Sequence, residues 1–163
     1  DGTNAGRGVL QSGTVGGAMI AQTFGVSGLA VSQKVTDEPM QWETGAAVTV
    51  AAVDWLVAAP RKTVINVNVP NRPLADLAGV RWARLAAFGT TSTGLQGSAP
   101  GTLKVRVTNR DVQLKPDTDT HLIDEGYVTV TGLLGYRAEA DDSGPAADAI
   151  SQALGRRGLR ISP

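Results

Sequence analysis

A serine, a glycine and a threonine in a row, Ser12-Gly13-Thr14, precede the apolar run VGGAMIAQTFG of residues 15–25. If that run is a helix, its first N–H groups have no partner inside it, and the positive end of its dipole faces outward. Glycine lets a ligand approach the backbone, and the two hydroxyls add donors. Phosphate fits that chemistry. The ordinary reading of the same residues is a helix cap, with Ser12 or Thr14 accepting a bond from an N–H two or three residues on. Asn4 lies just upstream in DGTNAGRG. Its side-chain carbonyl is a candidate ligand for a hard cation, and in isolation it reads as a turn residue.

Other motifs fall away. GVLQSGT (8–14) has the Gly-x4-Gly spacing of a P-loop, but threonine stands where the lysine belongs, so the β- and γ-phosphates lack their charge partner. GRG (6–8) has no third glycine three residues on, and no Gly-x-Ser-x-Gly elbow occurs. His121 is the only histidine and cannot form a multi-histidine zinc site. Asp141-Asp142, followed by Ser-Gly-Pro, reads as a solvated turn.

The chain has 163 residues, the length of one ordinary domain, and 42% are hydrophobic, enough for a core. Aromatics are only 4%, so that core is built from Ala, Val, Leu and Ile. Fifteen basic and fifteen acidic residues cancel, which argues against a binder of nucleic-acid polymers or anionic membrane surfaces. With no cysteine, disulfides and thiolate metal sites are excluded. No run approaches the roughly 20 apolar residues of a membrane span. No signal peptide is visible, and the expected setting is cytoplasmic. Asp1 is not an initiating residue, which leaves open a missing N-terminus and, with it, a targeting signal.

These residues need elements to hold them. Val15, Ala18 and Met19 fall at helical spacing, as do Ile20 and Phe24, with Gly25 as the stop. GLAVS (28–32) reads as a buried strand, residues 33–43 as a surface loop, and 43–60 as a helix capped by Thr44 and ended by Pro60. TVINVNVP (63–70) alternates, with Asn66 and Asn68 on one face and Ile65, Val67 and Val69 on the other. Strand and helix in alternation favour a parallel sheet with crossover helices. Strands are expected over 79–86, 102–109 and 125–133, a mobile Gly/Ser/Thr-rich stretch over 89–101, and an amphipathic helix over 145–157.

Three blocks, in order, resemble the SurE family of 5′/3′-nucleotidases. They are DGTN…SGTVGGAM…FGVSGLAVS, INVNVPNRPLADLAGVRWAR (65–84) and DTDTHLIDEGYVTVTGL (117–133). The resemblance implies an α/β, Rossmann-like three-layer parallel sheet with a C-terminal hairpin and helix extension. Residues 1–80 would form the C-terminal part of the core, and 81–163 an extension of the same domain used for oligomerisation. It implies a phosphomonoesterase acting on nucleoside monophosphates through a divalent cation, Mg2+ or Mn2+, and a homodimer or homotetramer. Asn4 maps onto a metal-binding asparagine of the family, and Ser12, Gly13 and Thr14 onto its phosphate pocket.

The departures matter. The family's paired aspartates and metal-binding serine precede the part that matches, so the first βαβ units are expected to be missing. A second asparagine is Gly8 here, and the Thr-Pro-Leu of the third block is Thr131-Gly132-Leu133. These differences keep a second reading open, a non-catalytic remnant that binds phosphate or nucleotide or serves in assembly. They also make the isolated chain a poor catalyst and a marginal fold unless it pairs, with 102–109 and the C-terminal helix as the association elements.

Overall fold

In VINVNV (64–69) every residue is buried, on both faces of the strand. That requires cover on both sides, and the chain supplies it. The computed structural model describes residues 2–87, 91–99, 102–109 and 114–134, with the course of the backbone alone in 91–99 and 102–109. Asp1, Asp141-Asp142 and the helix expected over 145–157 lie outside the described residues.

In chain order the elements are a 3-10 segment Gly6–Gln11, α1 Gly13–Thr23, β1 Gly28–Gln33, α2 Trp42–Ala58 and β2 Val64–Val69. A 3-10 turn Leu74–Asp76 follows, then β3 Gly79–Trp82, β4 Thr91–Ala99, β5 Thr102–Asn109, α3 Asp119–Asp124 and β6 Tyr127–Leu133. One sheet has the order β1-β2-β6-β3. On one face, Val9, Val15 and Ala18 pack on Ala30 and Val64. On the other, Val48, Ala52 and Leu56 of α2 pack on Ile65, Val67, Val69 and Val128. The result is the expected three-layer α/β arrangement.

α1 holds its place through packing rather than propensity. Gly16 and Gly17 each cost about 1 kcal/mol against alanine in a helix. Burial offsets this: Val15 is fully buried and Ala18 nearly so, and a buried valine contributes roughly 1.5–3 kcal/mol. The helix also lies unusually close to β1. A Cβ on Gly28 would stand 2.0 Å from the Ala18 carbonyl oxygen, so only glycine fits beneath α1 at that point.

Several expectations are corrected. The sheet is mixed rather than wholly parallel: β1 and β2 are parallel, β6 runs antiparallel to β2, and β3 is parallel to β6. Period-2 patterning fixes which face a residue takes, but not strand direction. Thr91–Ala99, expected to be mobile, is strand β4, paired antiparallel with β5. Ladder bonds come from the backbone, so a Gly/Ser/Thr-rich segment can be recruited by an alternating neighbour. Thr44 is not the cap of α2. The helix starts earlier, with Gln41 in the capping position, and Thr44 is buried in its first turn. Ile20 and Phe24, spaced as an apolar pair, are on the outer face of α1 and exposed. The six-residue α3 is too short to show a helical period and was not foreseen. No helix among the described residues is long and apolar enough to cross a membrane.

Candidate functional site

The carboxyl ends of β1 and β2 meet the start of α1, and a cleft of about 770 Å³ opens there. Open α/β sheets bind ligands at this end of their strands. All four residues singled out from the sequence, Asn4, Ser12, Gly13 and Thr14, line this cleft.

Ser12 caps α1. Its Oγ accepts the Val15 N–H at 3.1 Å, and its carbonyl accepts Gly16 N–H at 2.9 Å. The hydroxyl proton remains available to donate, since a serine both accepts and donates. Gly13 and Thr14 are exposed and contribute first-turn N–H groups, which a helix cannot satisfy internally. Ser12 is therefore a cap that also faces the cleft.

Asn4 is held by three side chains of the sheet. Its N–H donates to Asn68 Oδ1 at 2.7 Å, and its carbonyl accepts from Asn66 Nδ2 at 2.7 Å and Asn68 Nδ2 at 3.2 Å. Its own Nδ2 donates to Ser32 Oγ. The side-chain nitrogen is thus committed, which leaves the amide oxygen as the atom able to meet a cation. The polar face of β2 read from the alternation exists to grip this loop.

A further anchor was not singled out in the sequence. Asp119 is fully buried. Its Oδ2 accepts Gly6 N–H at 2.8 Å, and its Oδ1 accepts the N–H of Ala86 at 2.9 Å and of Thr120 at 2.8 Å. The Thr120 hydroxyl adds a longer bond at 3.3 Å. The carboxylate ties the loop after Asn4 to the exit of β3 and the start of α3. It sits in the third block of the resemblance, yet its partners are distant in sequence, and no spacing rule reveals them.

Among the described residues that line the cleft none is charged. An anion here would be met by dipoles and hydroxyls. For a divalent cation the fit is poor. Such ions take about six or more oxygens, mostly carboxylate and water, whereas Asn4 offers one neutral oxygen. Among the described residues no group of three His, Cys, Asp or Glu side chains is placed to hold a metal. His121 is half-buried on α3 and does not line the cleft.

The family described as Survival protein SurE matches residues 1–91. The chain belongs to the SurE family. A 5′/3′-nucleotidase SurE from Erwinia tasmaniensis is 36% identical over 137 residues, covering 81% of this chain and 53% of that protein. The Cronobacter sakazakii protein of the same name is 35% identical over the same length. The chain thus spans about half the length of these relatives. The crystal structure of the SurE protein from Aquifex aeolicus superposes with a TM-score of 0.69 at 24% identity, over 92% of this chain and 62% of that one. That likeness bears on the fold alone, and it bears out the Rossmann-like class.

Proposed function

We propose that this SurE-family chain carries the phosphate-binding half of a phosphomonoesterase acting on nucleoside monophosphates. The observation that carries the reading is the start of α1. Ser12, Gly13 and Thr14 present hydroxyls and first-turn N–H groups to a cleft at the carboxyl end of the sheet, lined among the described residues by uncharged side chains. The relatives named 5′/3′-nucleotidase support the activity class.

In this reading the N–H groups of α1 and the hydroxyls of Ser12 and Thr14 orient the phosphoryl group and stabilise the charge that develops on its oxygens. Asn4, fixed by Asn66 and Asn68, sets the opposite boundary of the loop. The Mg2+ or Mn2+ dependence implied by the resemblance remains a proposal. Asn4 would be one ligand to that ion, and the described residues do not complete the set. The shortened loop between Asn4 and Ser12, and Gly8 in place of an asparagine, favour the second reading, a module that binds phosphate or nucleotide without hydrolysing it.

The two are separated by calorimetric titration with inorganic phosphate beside an assay of phosphate release from nucleoside monophosphates with Mg2+ or Mn2+ added. Binding with release supports the enzyme, and binding alone supports the module. Ser12→Ala and Thr14→Ala should each lower phosphate affinity or turnover about tenfold or more. Unchanged values would leave Ser12 a simple cap and Thr14 an ordinary first-turn residue.

Assembly as a homodimer or homotetramer is part of the same proposal. Among the described residues β4 and β5 form a two-stranded sheet of their own. An isolated hairpin is marginal in water, which supports its use as an arm against another chain. Sedimentation of the intact chain and of a variant lacking residues 91–109 tests this.

A further inference from the structure

We propose that Trp42 is a specificity-determining residue of this cleft, a stacking platform for the planar base of a nucleotide ester. The inference rests on the phosphate reading of Ser12-Gly13-Thr14 for the position of the ester, but the platform itself is a separate feature.

Three observations carry it. The first is the division of the lining. Its polar part comes from residues 2–14 and from Ser32 and Gln33. Its apolar part is Val35, Met40 and Trp42, from the connection between β1 and α2 and the first residue of α2. A cleft of about 770 Å³ holds far more than a phosphate group and lies within the range of sites for whole small molecules.

The second is exposure. Trp42 is 68% exposed, so its indole is not spent on the core. An accessible indole face in a cleft that also holds donors for an anion is the pairing a nucleotide presents in reverse, a flat ring joined to a phosphate. Stacking on an aromatic side chain accepts any base, because every base has a π-face.

The third is that the backbone beneath Trp42 is fixed although its side chain is free. The N–H of Gln41 donates to Asn71 Oδ1 at 2.8 Å, and the carbonyl of Gln41 accepts from Gln33 Nε2 at 2.9 Å. Asn71 Nδ2 in turn donates to Thr36 Oγ1 at 2.8 Å, holding the rest of the connection. Gly45 makes room for this clamp, since a Cβ there would stand 2.6 Å from Gln33 Oε1. A residue held at its root and open at its ring loses little freedom when a ligand stacks on it, which is the benefit of preorganisation.

Calorimetric titration of the intact chain with three probes tests this. Adenosine carries the base without phosphate, ribose 5-phosphate the ester without base, and adenosine 5′-monophosphate both. Trp42→Ala should weaken adenosine and adenosine 5′-monophosphate by roughly tenfold and leave ribose 5-phosphate unchanged, while Trp42→Phe retains most of the affinity. Adenosine binding that is absent in the natural chain, or equal in Trp42→Ala, overturns the platform. An equal loss for all three probes in Trp42→Ala overturns it too, since it reports general damage. Failure of ribose 5-phosphate to bind, with adenosine binding lost in Trp42→Ala, instead removes the phosphate reading and leaves the platform standing.

Discussion

Replacing Asp119 separates the scaffold of the loop from the scaffold of the fold. Its two carboxylate oxygens do unequal work. Oδ1 receives two backbone N–H groups and a hydroxyl, whereas Oδ2 receives Gly6 N–H alone. In Asp119→Asn the amide oxygen should take the crowded side, and the new NH2 group then faces Gly6 N–H, donor against donor. One charge-assisted bond is lost, and a hydrogen bond to a charged group contributes about 1.5–3 kcal/mol. Asp119→Ala is harsher, because three backbone donors lose their acceptor in a buried place. At about 1 kcal/mol or more for each unsatisfied donor, the loss is at least ~3 kcal/mol, set against the ~5–15 kcal/mol typical of a whole domain. Urea unfolding measures the totals, and with an m-value of about 2 kcal/mol/M the asparagine variant should unfold near 1 M lower. Hydrogen exchange locates the effect: the Gly6 amide should lose protection while amides of β2 keep theirs. Phosphate affinity should fall with it, because the loop bearing Asn4 is no longer held from its far side. If Asp119→Asn keeps both the urea midpoint and the Gly6 protection of the natural chain, the tether is ornamental and the reasoning is wrong.

Two further outcomes follow from the helix above the sheet. Gly17 is exposed within α1, and a Cβ there meets nothing within 4 Å, so Gly17→Ala should stabilise the chain by about 0.5–1 kcal/mol without changing phosphate affinity, as read by thermal or urea unfolding. Gly28→Ala should do the reverse. With the Ala18 carbonyl only 2.0 Å from the new carbon, α1 must lift from β1, and a loss of about 1–3 kcal/mol or more is expected. A neutral Gly28→Ala would mean that α1 sits farther from the sheet than described.

The parts of this molecule that declare themselves in the sequence are those governed by neighbours. The alternation of VINVNV placed Asn66 and Asn68 on one face, and that face grips Asn4. Ser12 was readable as a cap because its partner, Val15, is three residues away. The rest depends on contacts that local pattern does not encode. The direction of β6 relative to β2 is set by how the chain returns, and both directions satisfy the same buried face. Trp42 sat within a stretch read as ordinary surface loop, and its clamp needs Gln33, Gln41 and Asn71 together, with up to 38 residues between members. Asp119 looked like one more acidic residue in a polar segment until its three backbone donors were placed around it.

The bond between Gly6 and Asp119 spans 113 residues, and it orders events in time. In synthesis the loop at residues 4–8 leaves the ribosome before its partners, and the strand that grips Asn4 follows some 60 residues later, as the 62- and 64-residue separations to Asn66 and Asn68 show. The carboxylate that closes the loop comes last of all. Contacts of such long range form late, because the intervening chain must be gathered first. In the proposed reading, phosphate binding therefore waits on the synthesis of Asp119, and a nascent chain stalled before it should carry the whole of α1 and still lack a competent cleft.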